Sequence, residues 1–267
     1  MNMTATETTV DSVLLREDTE GVVTLTLNRP SQFNGLSEEM LTALQQELTQ
    51  IASDDSVRCV ILAANGKAFC AGHDLKQMRA NPEKSYYQDL FTQCGQMMQQ
   101  IVSLPMPVIA RVQGLATAAG CQLVASCDLA VAVDSATFAV SGINLGLFCS
   151  TPAVALSRNI ARKRAFEMLF TGKFIDSETA VDWGLINKAV PADQLDAAIQ
   201  ELTDSICAKS RVPVQVGKEM FYEQLGMELA DAYAFAGEKM ACNMMSEDAV
   251  EGIDSFIQRR KPTWKGC

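Results

Sequence analysis

The sequence predicts an α/β fold with a helical C-terminal appendage, and two observations support this prediction. Through the first two thirds of the 267 residues, short apolar runs of strand type alternate with segments whose apolar residues recur at helical spacing. The last third contains few strand-like runs. We therefore predict a core over residues 1–190 and a helical region over residues 191–267.

The first predicted strand is Val22–Leu27, which ends at the turn-forming Asn28-Arg29-Pro30 sequence. Ser37 follows as a predicted N-cap, with Glu38 and Glu39 suited to the positive end of a helix. This helix has one apolar face, formed by Leu41, Leu44, Leu48 and Ile51. Cys59–Leu62 is predicted as a second, buried strand.

A longer helix is predicted over Ser85–Val102, where Pro105 and Pro107 stop it. A strand follows at Pro107–Val112. Further along, the pattern favours a helix near Cys121–Ser126, a strand at Leu129–Val133, and helices from Pro152 onward. Within the C-terminal region, the segments with helical spacing are Gln194–Lys209, Pro213–Leu225, Glu228–Met245 and Asp248–Arg260.

Two loops rich in small residues are the most informative part of the chain. They cover Ala68–Lys76 and Gln113–Gln122, and each joins an apolar strand to a helix. At such a junction the backbone N–H groups have no partner within the helix and can face a ligand. Two junctions of this kind can polarise one carbonyl, which is the composition of an oxyanion hole.

Composition argues against several other classes of protein. A formal net charge of −10 opposes nucleic-acid binding, and the apolar stretches are shorter than the ~20 residues of a membrane helix. The start of the sequence lacks the features of a secretory signal, so we expect a cytoplasmic protein with nine reduced cysteines. Because His73 is the sole histidine and no CxxC occurs, we expect no metal site.

Six motifs in order resemble the crotonase superfamily, the enoyl-CoA hydratase/isomerase family, and one of its branches in particular. They are Asn28-Arg-Pro, Ala68-Phe-Cys-Ala-Gly-His-Asp-Leu, the Gly114–Cys121 loop, Cys127-Asp128, Ile143-Asn-Leu-Gly-Leu147 and Leu169-Phe-Thr-Gly172. The resemblance covers nearly the whole chain. It implies a spiral core of ββα units and C-terminal helices used in trimerisation, in a trimer or a dimer of trimers.

The resemblance also implies a small-molecule acyl-CoA thioester as substrate, with no separate cofactor. Its carbonyl oxygen would lie between the backbone N–H groups of His73 and Ala119. The residues implied at the substrate and CoA are Arg29, Ala71, His73, Asp74, Leu75, Lys76, Ala119, Gly142, Phe256 and Arg259.

The acid/base groups depart from the family pattern. Hydratases of this family use two glutamates, and the matching positions here hold Gln122 and Gly142. Neither side chain can transfer a proton, and general acid–base catalysis typically contributes ~10²–10⁴ in rate, so we expect ordinary hydration to be slow or absent. The candidates to stand in are Gln122, His73 and Ser150, although His73 could equally supply only its N–H while its ring packs, and Ser150 could only position substrate.

Three functions remain open on the sequence. One is an enoyl-CoA hydratase-like lyase or isomerase that uses ordered water. Another is a decarboxylase of malonyl-type acyl-CoA, in which loss of carbon dioxide generates the enolate without a base. The last is a non-catalytic acyl-CoA-binding protein. The fold alone does not choose between them, because one scaffold hosts many reactions.

Overall fold

A computed structural model describes residues 12–267, and its strands form two sheets. The opening residues, which bear on the expected location, lie outside this range. The strands are β1 (Leu14–Thr19), β2 (Val22–Leu27), β3 (Cys59–Ala64), β4 (Ala68–Cys70), β5 (Val108–Val112), β6 (Leu115–Thr117), β7 (Leu129–Val133), β8 (Thr137–Ala139), β9 (Ile175–Asp176) and β10 (Lys188–Val190).

Eleven α-helices accompany the sheets within residues 12–267. They are α1 (Glu38–Ala52), α2 (Leu75–Ala80), α3 (Lys84–Ser103), α4 (Ala119–Ser126), α5 (Ser150–Asn159), α6 (Arg162–Thr171), α7 (Ser177–Asp182), α8 (Leu195–Cys207), α9 (Arg211–Gln224), α10 (Leu229–Met244) and α11 (Glu247–Gln258).

The large sheet has the order β1-β2-β3-β5-β7-β10, and only β1 runs antiparallel to its neighbour. The small sheet has the order β4-β6-β8-β9, with β9 antiparallel. The predicted α/β class is therefore confirmed. Because β4 and β6 are adjacent and parallel, their carboxyl ends lie at the same edge of the small sheet, and the two loops that follow them meet there.

Most of the long elements agree with the sequence patterns, but the six-residue strand β1 was not predicted. β2 and β7 have the predicted bounds, and the Ser37 hydroxyl caps α1 by accepting a hydrogen bond from the Met40 amide. The four apolar residues predicted on α1 are all buried. The third predicted strand starts one residue later, at Val108, because proline has no N–H to donate to a ladder.

The short strands were not predicted. β4, β6 and β8 have three residues each, too few for an alternating pattern. β4 and β6 lie inside the two segments interpreted as loops, and β8 lies where no element was predicted. The prediction of helices alone after Pro152 was wrong at β9 and β10. β9 has two residues and β10 has three, and both are defined by their partners β8 and β7.

After β10 the remaining elements are helices, which extend to Gln258, but the helices differ in what they contact. α8 packs against β3, β5 and β7, so it covers the large sheet. α9 and α10 pack mainly on each other, and α11 contacts α10. Within residues 12–267, no helix has both the length and the apolar character of a membrane span, and no grouping of three metal-ligating side chains occurs.

A buried ion pair fixes α9 to the core. The Lys218 ammonium donates to Asp128 Oδ2 at 2.7 Å and to the carbonyls of Ile101 and Met106 at 3.0 Å each. Asp128 also accepts a hydrogen bond from the Tyr222 hydroxyl at 2.8 Å. Asp128 lies just after α4, so this cluster joins the helical region to the helix that follows the second loop.

Candidate active site

The two small-residue loops touch each other in the folded protein. Gly72, in the first loop, has a left-handed φ of 92°. A β-carbon placed on Gly72 would lie 2.9 Å from the Ala118 β-carbon and 3.2 Å from the Ala119 nitrogen. Only glycine therefore fits at position 72, and the backbone just before His73 lies against the backbone of Ala119.

The amides expected to form the oxyanion hole are free. The neighbouring amides are paired: Asp74 N–H donates to the Leu36 carbonyl at 3.3 Å, and Ala118 N–H donates to the Ala139 carbonyl at 3.0 Å. Across residues 12–267, neither the His73 amide nor the Ala119 amide has a protein acceptor. Ala119 is the first residue of α4, where an N–H has no intrahelical partner.

Ala118 is in a strained conformation. Its φ of 52° and ψ of −121° belong to a region that residues with a β-carbon rarely adopt. This conformation turns the chain from β6 into α4 and directs the next amide, that of Ala119, toward the first loop. The strain is therefore located at the residue that orients a proposed donor.

The His73 ring packs inside the protein. It lies edge-on to Phe91, with the ring centroids 5.4 Å apart, and neither ring nitrogen has a hydrogen-bond partner within residues 12–267. Burial lowers the pKa of His73, against a smaller opposing effect of the Leu36 backbone, so the ring is neutral at physiological pH. This arrangement favours the interpretation in which His73 contributes its N–H and its ring packs.

Gln122 and Gly142, the two positions that the resemblance matches to the hydratase glutamates, hold no titratable group. Gln122 on α4 is 4% exposed, and its Oε1 atom has no partner among the described residues. A β-carbon on Gly142 would lie 2.7 Å from Cys149 Sγ and 2.9 Å from the Leu147 carbonyl oxygen. The space in which a side chain at position 142 would begin is therefore already filled.

Ser150 is the exposed first residue of α5. Its hydroxyl donates a long hydrogen bond of 3.4 Å to the Phe148 carbonyl. No described histidine or carboxylate hydrogen-bonds this hydroxyl, so the structure shows no general base that would make Ser150 a nucleophile. Ser141, which lies between β8 and α5, is joined to the second loop. Its hydroxyl and the Thr117 hydroxyl form a hydrogen bond of 3.0 Å.

The residues implied in CoA binding fall into two groups. Arg29, Ala71, Asp74, Leu75 and Lys76 lie at the first loop, where Leu75 and Lys76 are exposed and the Ala71 amide donates to the Phe33 carbonyl. Phe256 and Arg259 lie instead on and just after α11, which contacts α10, and Phe256 is 85% exposed. The structure does not bring this second group to the first loop within one chain.

Asp74 has a structural task at the first loop. Its carboxylate caps α2 by accepting from the amides of Lys76 and Gln77 at 3.1 and 3.2 Å, and it pairs with Arg29 at 3.3 Å. Burial opposes ionisation, but these hydrogen bonds outweigh it and hold the pKa of Asp74 below its usual range. Arg29 also donates to the Gly35 carbonyl, so its guanidinium is already engaged.

The sequence reasoning missed Asn34, which organises the first loop. Asn34 is fully buried in the left-handed conformation, with φ 53°. Its amide nitrogen donates to the carbonyls of Asn65 and Ala68 at 2.8 Å, and its amide oxygen accepts from the Arg29 amide. The Asn-Gly pair inside the turn-rich stretch was the available signal, because asparagine tolerates this conformation and glycine often follows it.

Comparison with known proteins supports the resemblance. The family described as enoyl-CoA hydratase/isomerase matches residues 17–267. Enoyl-CoA hydratase domain-containing protein 3 of Xenopus laevis is 46% identical over 244 residues, which cover 91% of this chain and 83% of that protein. The human protein of the same name is 43% identical over 245 residues, covering 92% of this chain and 81% of that protein.

Solved structures agree with this result. A structure titled enoyl-CoA hydratase from Mycobacterium smegmatis has a TM-score of 0.93 at 57% identity and covers 94% of this chain and 98% of that one. The structure of human enoyl-CoA hydratase domain-containing protein 3 has a TM-score of 0.92 at 42% identity, covering 94% and 100%. The relatives named enoyl-CoA hydratase domain-containing protein 3 confirm the branch of the family that the sequence motifs resemble.

The same comparison corrects one expectation. The frog, mouse and human relatives are named as mitochondrial proteins, which overturns the expected cytoplasmic location. Amino-acid composition does not separate mitochondrial from cytoplasmic proteins, because both have the same kind of folded surface. The extent of the family match, together with the shared fold, shows that this chain belongs to the enoyl-CoA hydratase/isomerase family.

Proposed function

We propose that the protein is a hydratase-like acyl-CoA enzyme that polarises the thioester carbonyl between the His73 and Ala119 amides. The main support is that these two amides are free and lie on loops in contact. Fixed donors of this kind stabilise an enolate, and removal of one typically loses about 3 kcal/mol of transition-state stabilisation. The coenzyme A thioester is the substrate, and the proposal includes no separate cofactor.

In this proposal Gln122 orients water and Ser150 positions the acyl group. A glutamine amide can hold water through both its oxygen and its nitrogen, and the Gln122 oxygen is unpartnered and buried. The first loop, from Ala71 to Lys76, would lie along the pantetheine and phosphates. Arg29 would stabilise that loop through its hydrogen bond to the Asp74 carboxylate.

The test is mass-spectrometric detection of 3-hydroxybutyryl-CoA when the purified protein is incubated with crotonyl-CoA. We expect slow, protein-dependent hydration that falls at least tenfold in Gln122→Ala and in Ser150→Ala. Gln99→Ala, on the exposed side of α3, is the matched control and should keep full activity. Full activity in both site variants would reject this mechanism.

A second candidate, a decarboxylase of malonyl-type acyl-CoA, is favoured by the absence of a titratable side chain at positions 122 and 142. Departure of carbon dioxide leaves an enolate directly, so the oxyanion hole suffices without a base. Incubation with malonyl-, methylmalonyl- and ethylmalonyl-CoA should then release carbon dioxide. Tight binding of butyryl-CoA with no turnover of any thioester would instead indicate a non-catalytic acyl-CoA-binding protein.

We also propose a homo-oligomer, a trimer or a dimer of trimers, built from two unlike surfaces. The aromatic surface consists of exposed phenylalanines among exposed cations: Phe148, Phe166, Phe170, Phe174, Arg158, Arg162, Lys163, Arg164 and Lys173. The α10 surface is apolar and acidic: Leu225, Leu229, Tyr233, Met240, Met244, Met245, Glu223, Glu228, Asp231 and Glu238.

These two surfaces are complementary in charge, and both expose large apolar side chains that water disfavours. Contact between unlike surfaces of identical chains is heterologous, and such contacts close into rings when the rotation permits. Light scattering of the purified protein should therefore give the mass of a closed oligomer. A monomer at micromolar concentration would reject the assembly.

A further inference from the structure

We infer that Cys149 is a site of covalent capture, at which its thiol adds to the β-carbon of an α,β-unsaturated acyl thioester held in the oxyanion hole. This inference rests on the proposed function for delivery of the thioester. It assigns to Cys149 a role that neither hydration nor decarboxylation requires.

The position of the thiol is the first argument. Cys149 precedes α5, and its sulfur lies 2.7 Å from the point where a β-carbon on Gly142 would be. Gly142 follows Ser141, whose hydroxyl contacts the Thr117 hydroxyl at 3.0 Å, two residues before the free Ala119 amide. Ser141 thus connects the segment against which the sulfur packs to the end of β6.

The second argument is independent of the cysteine. It is that polar groups on the first loop and on α4 have no hydrogen-bond partners. The Ala119 and His73 amides have no protein acceptor within residues 12–267, and the buried Gln122 Oε1 has no donor. Unsatisfied buried polar groups are unfavourable unless a ligand or water completes them. A ligand that reaches these groups would place its acyl carbons beside α4 and the start of α5, which pack together.

The chemistry balances without any other reactant. The sulfur–hydrogen bond breaks and a bond forms between sulfur and the β-carbon, while the carbon–carbon π pair shifts to give an enolate. The His73 and Ala119 amides stabilise the enolate oxygen, and the thiol proton ends on the α-carbon. Burial raises the pKa of the Cys149 thiol, against a hydrogen bond with the Gly142 backbone, so the sulfur holds that proton at neutral pH.

Other thiols provide internal comparisons. Cys121, on α4, is fully buried, with no surface open to a ligand. Cys242, on α10, is exposed. Non-specific alkylation would favour the exposed Cys242, whereas capture from a bound thioester would favour Cys149, which is 9% exposed.

The experiment incubates the full-length protein with crotonyl-CoA, stops the reaction with acid, and maps the mass increase of one whole thioester by peptide mass spectrometry. We expect labelling at Cys149 at least tenfold faster than at Cys242, and suppressed at least tenfold by saturating butyryl-CoA, which lacks the double bond. Cys149→Ala should lose this label, and Cys242→Ser should keep it.

Calorimetric titration with butyryl-CoA separates the two proposals. Binding of butyryl-CoA with no adduct at Cys149 would overturn the capture and leave the proposed function standing. Labelling that butyryl-CoA does not suppress would also overturn it. Absence of any binding together with absence of adduct would overturn both.

Discussion

Ala118 combines a β-carbon with a backbone conformation suited to glycine. Such conformations are retained when the surrounding structure enforces them, and here the N–H to Ala139 and the contact with Gly72 do so. The sequence places an alanine at this position. It could not show the strain, because strain belongs to the backbone angles and not to residue type.

We predict that Ala118→Gly stabilises the protein by about 1 kcal/mol. Relief of a strained conformation is worth about 1–3 kcal/mol, and the added freedom of glycine in the unfolded chain offsets about 0.5–1 kcal/mol of it. Urea denaturation measures the effect. Ala125→Gly, on buried α4, is the matched control and should destabilise by at least about 1 kcal/mol; an Ala118→Gly variant no more stable than the parent would contradict the strain.

Gly72→Ala should strongly reduce turnover, because the added carbon would meet Ala118 and the Ala119 amide and would separate the two loops. Loss of one donor predicts a decrease of about 10²–10³ in kcat. Gly95→Ala tests the same chemical change in α3, where a β-carbon would meet nothing within 4 Å, and it should leave kcat unchanged. Equal activity in the two variants would refute the paired-donor geometry.

At the level of the element, the buried cluster around Lys218 joins three parts of the chain. The end of α3, the segment before β5 and the residue after α4 all supply oxygen atoms to one ammonium group. Cys127-Asp128 is one of the six sequence motifs, but the sequence does not indicate which residue pairs with the aspartate. Its partner lies 90 positions away, on a helix that periodicity alone describes only as amphipathic.

Lys218→Met should destabilise the protein by about 3–5 kcal/mol, because it leaves the Asp128 charge without its buried counter-charge. Chemical denaturation checks this value. Lys239→Met is the control, since Lys239 pairs with Glu219 near the surface and such pairs contribute about 0–1 kcal/mol. A similar small effect for both variants would show that the cluster does not hold α9.

The Asp248 carboxylate, at the start of α11, is expected to make the stability of the protein depend on pH. Its carboxylate accepts from the Ser210 hydroxyl and from the amides of Lys265 and Gly266. Burial opposes ionisation, but these hydrogen bonds outweigh it and lower the pKa of Asp248 below 3.8. The stabilisation is therefore complete above pH 3.8 and disappears as the pH falls through the lower, folded-state value.

Asp248→Asn tests this linkage. The parent should be more stable than the variant at pH 7, and the difference should shrink as the pH falls below 3.8. Trp264 fluorescence reports on the same region, since its indole donates to the Ala208 carbonyl, and a Trp183→Phe background isolates its signal. A stability difference independent of pH would show that the lost hydrogen-bond acceptor, and not the charge, accounts for the effect.

At the scale of the whole molecule, the proposed assembly predicts which surface substitution separates the chains. Phe170→Glu places a carboxylate in the aromatic surface opposite the acidic α10 surface, so it should shift the population to monomers in light scattering. Leu15→Glu introduces the same charge at another exposed apolar side chain, on β1, and should leave the mass unchanged. An intact oligomer in Phe170→Glu would exclude this pairing of surfaces.

Prediction from sequence succeeded where one pattern covers many residues and failed where the structure depends on distant partners. In the large sheet, β2, β3, β5 and β7 were predicted, whereas the six-residue strand β1 and the order of the strands were not. The small sheet has strands of two or three residues, so only its pairings define it. The site shows the same division: the two small-residue loops were predicted from their composition, but the packing of Cys149 against Gly142 was not.

The hydrogen bonds of Asn34 also have a consequence for chemical ageing. Asn-Gly sequences deamidate when the glycine amide attacks the asparagine side chain. Here that side chain is committed to Asn65, Ala68 and Arg29, and the Gly35 amide donates to the Gln32 carbonyl. Folding therefore protects Asn34 from deamidation. A molecule that stays unfolded accumulates deamidation at Asn34, the residue that organises the first loop.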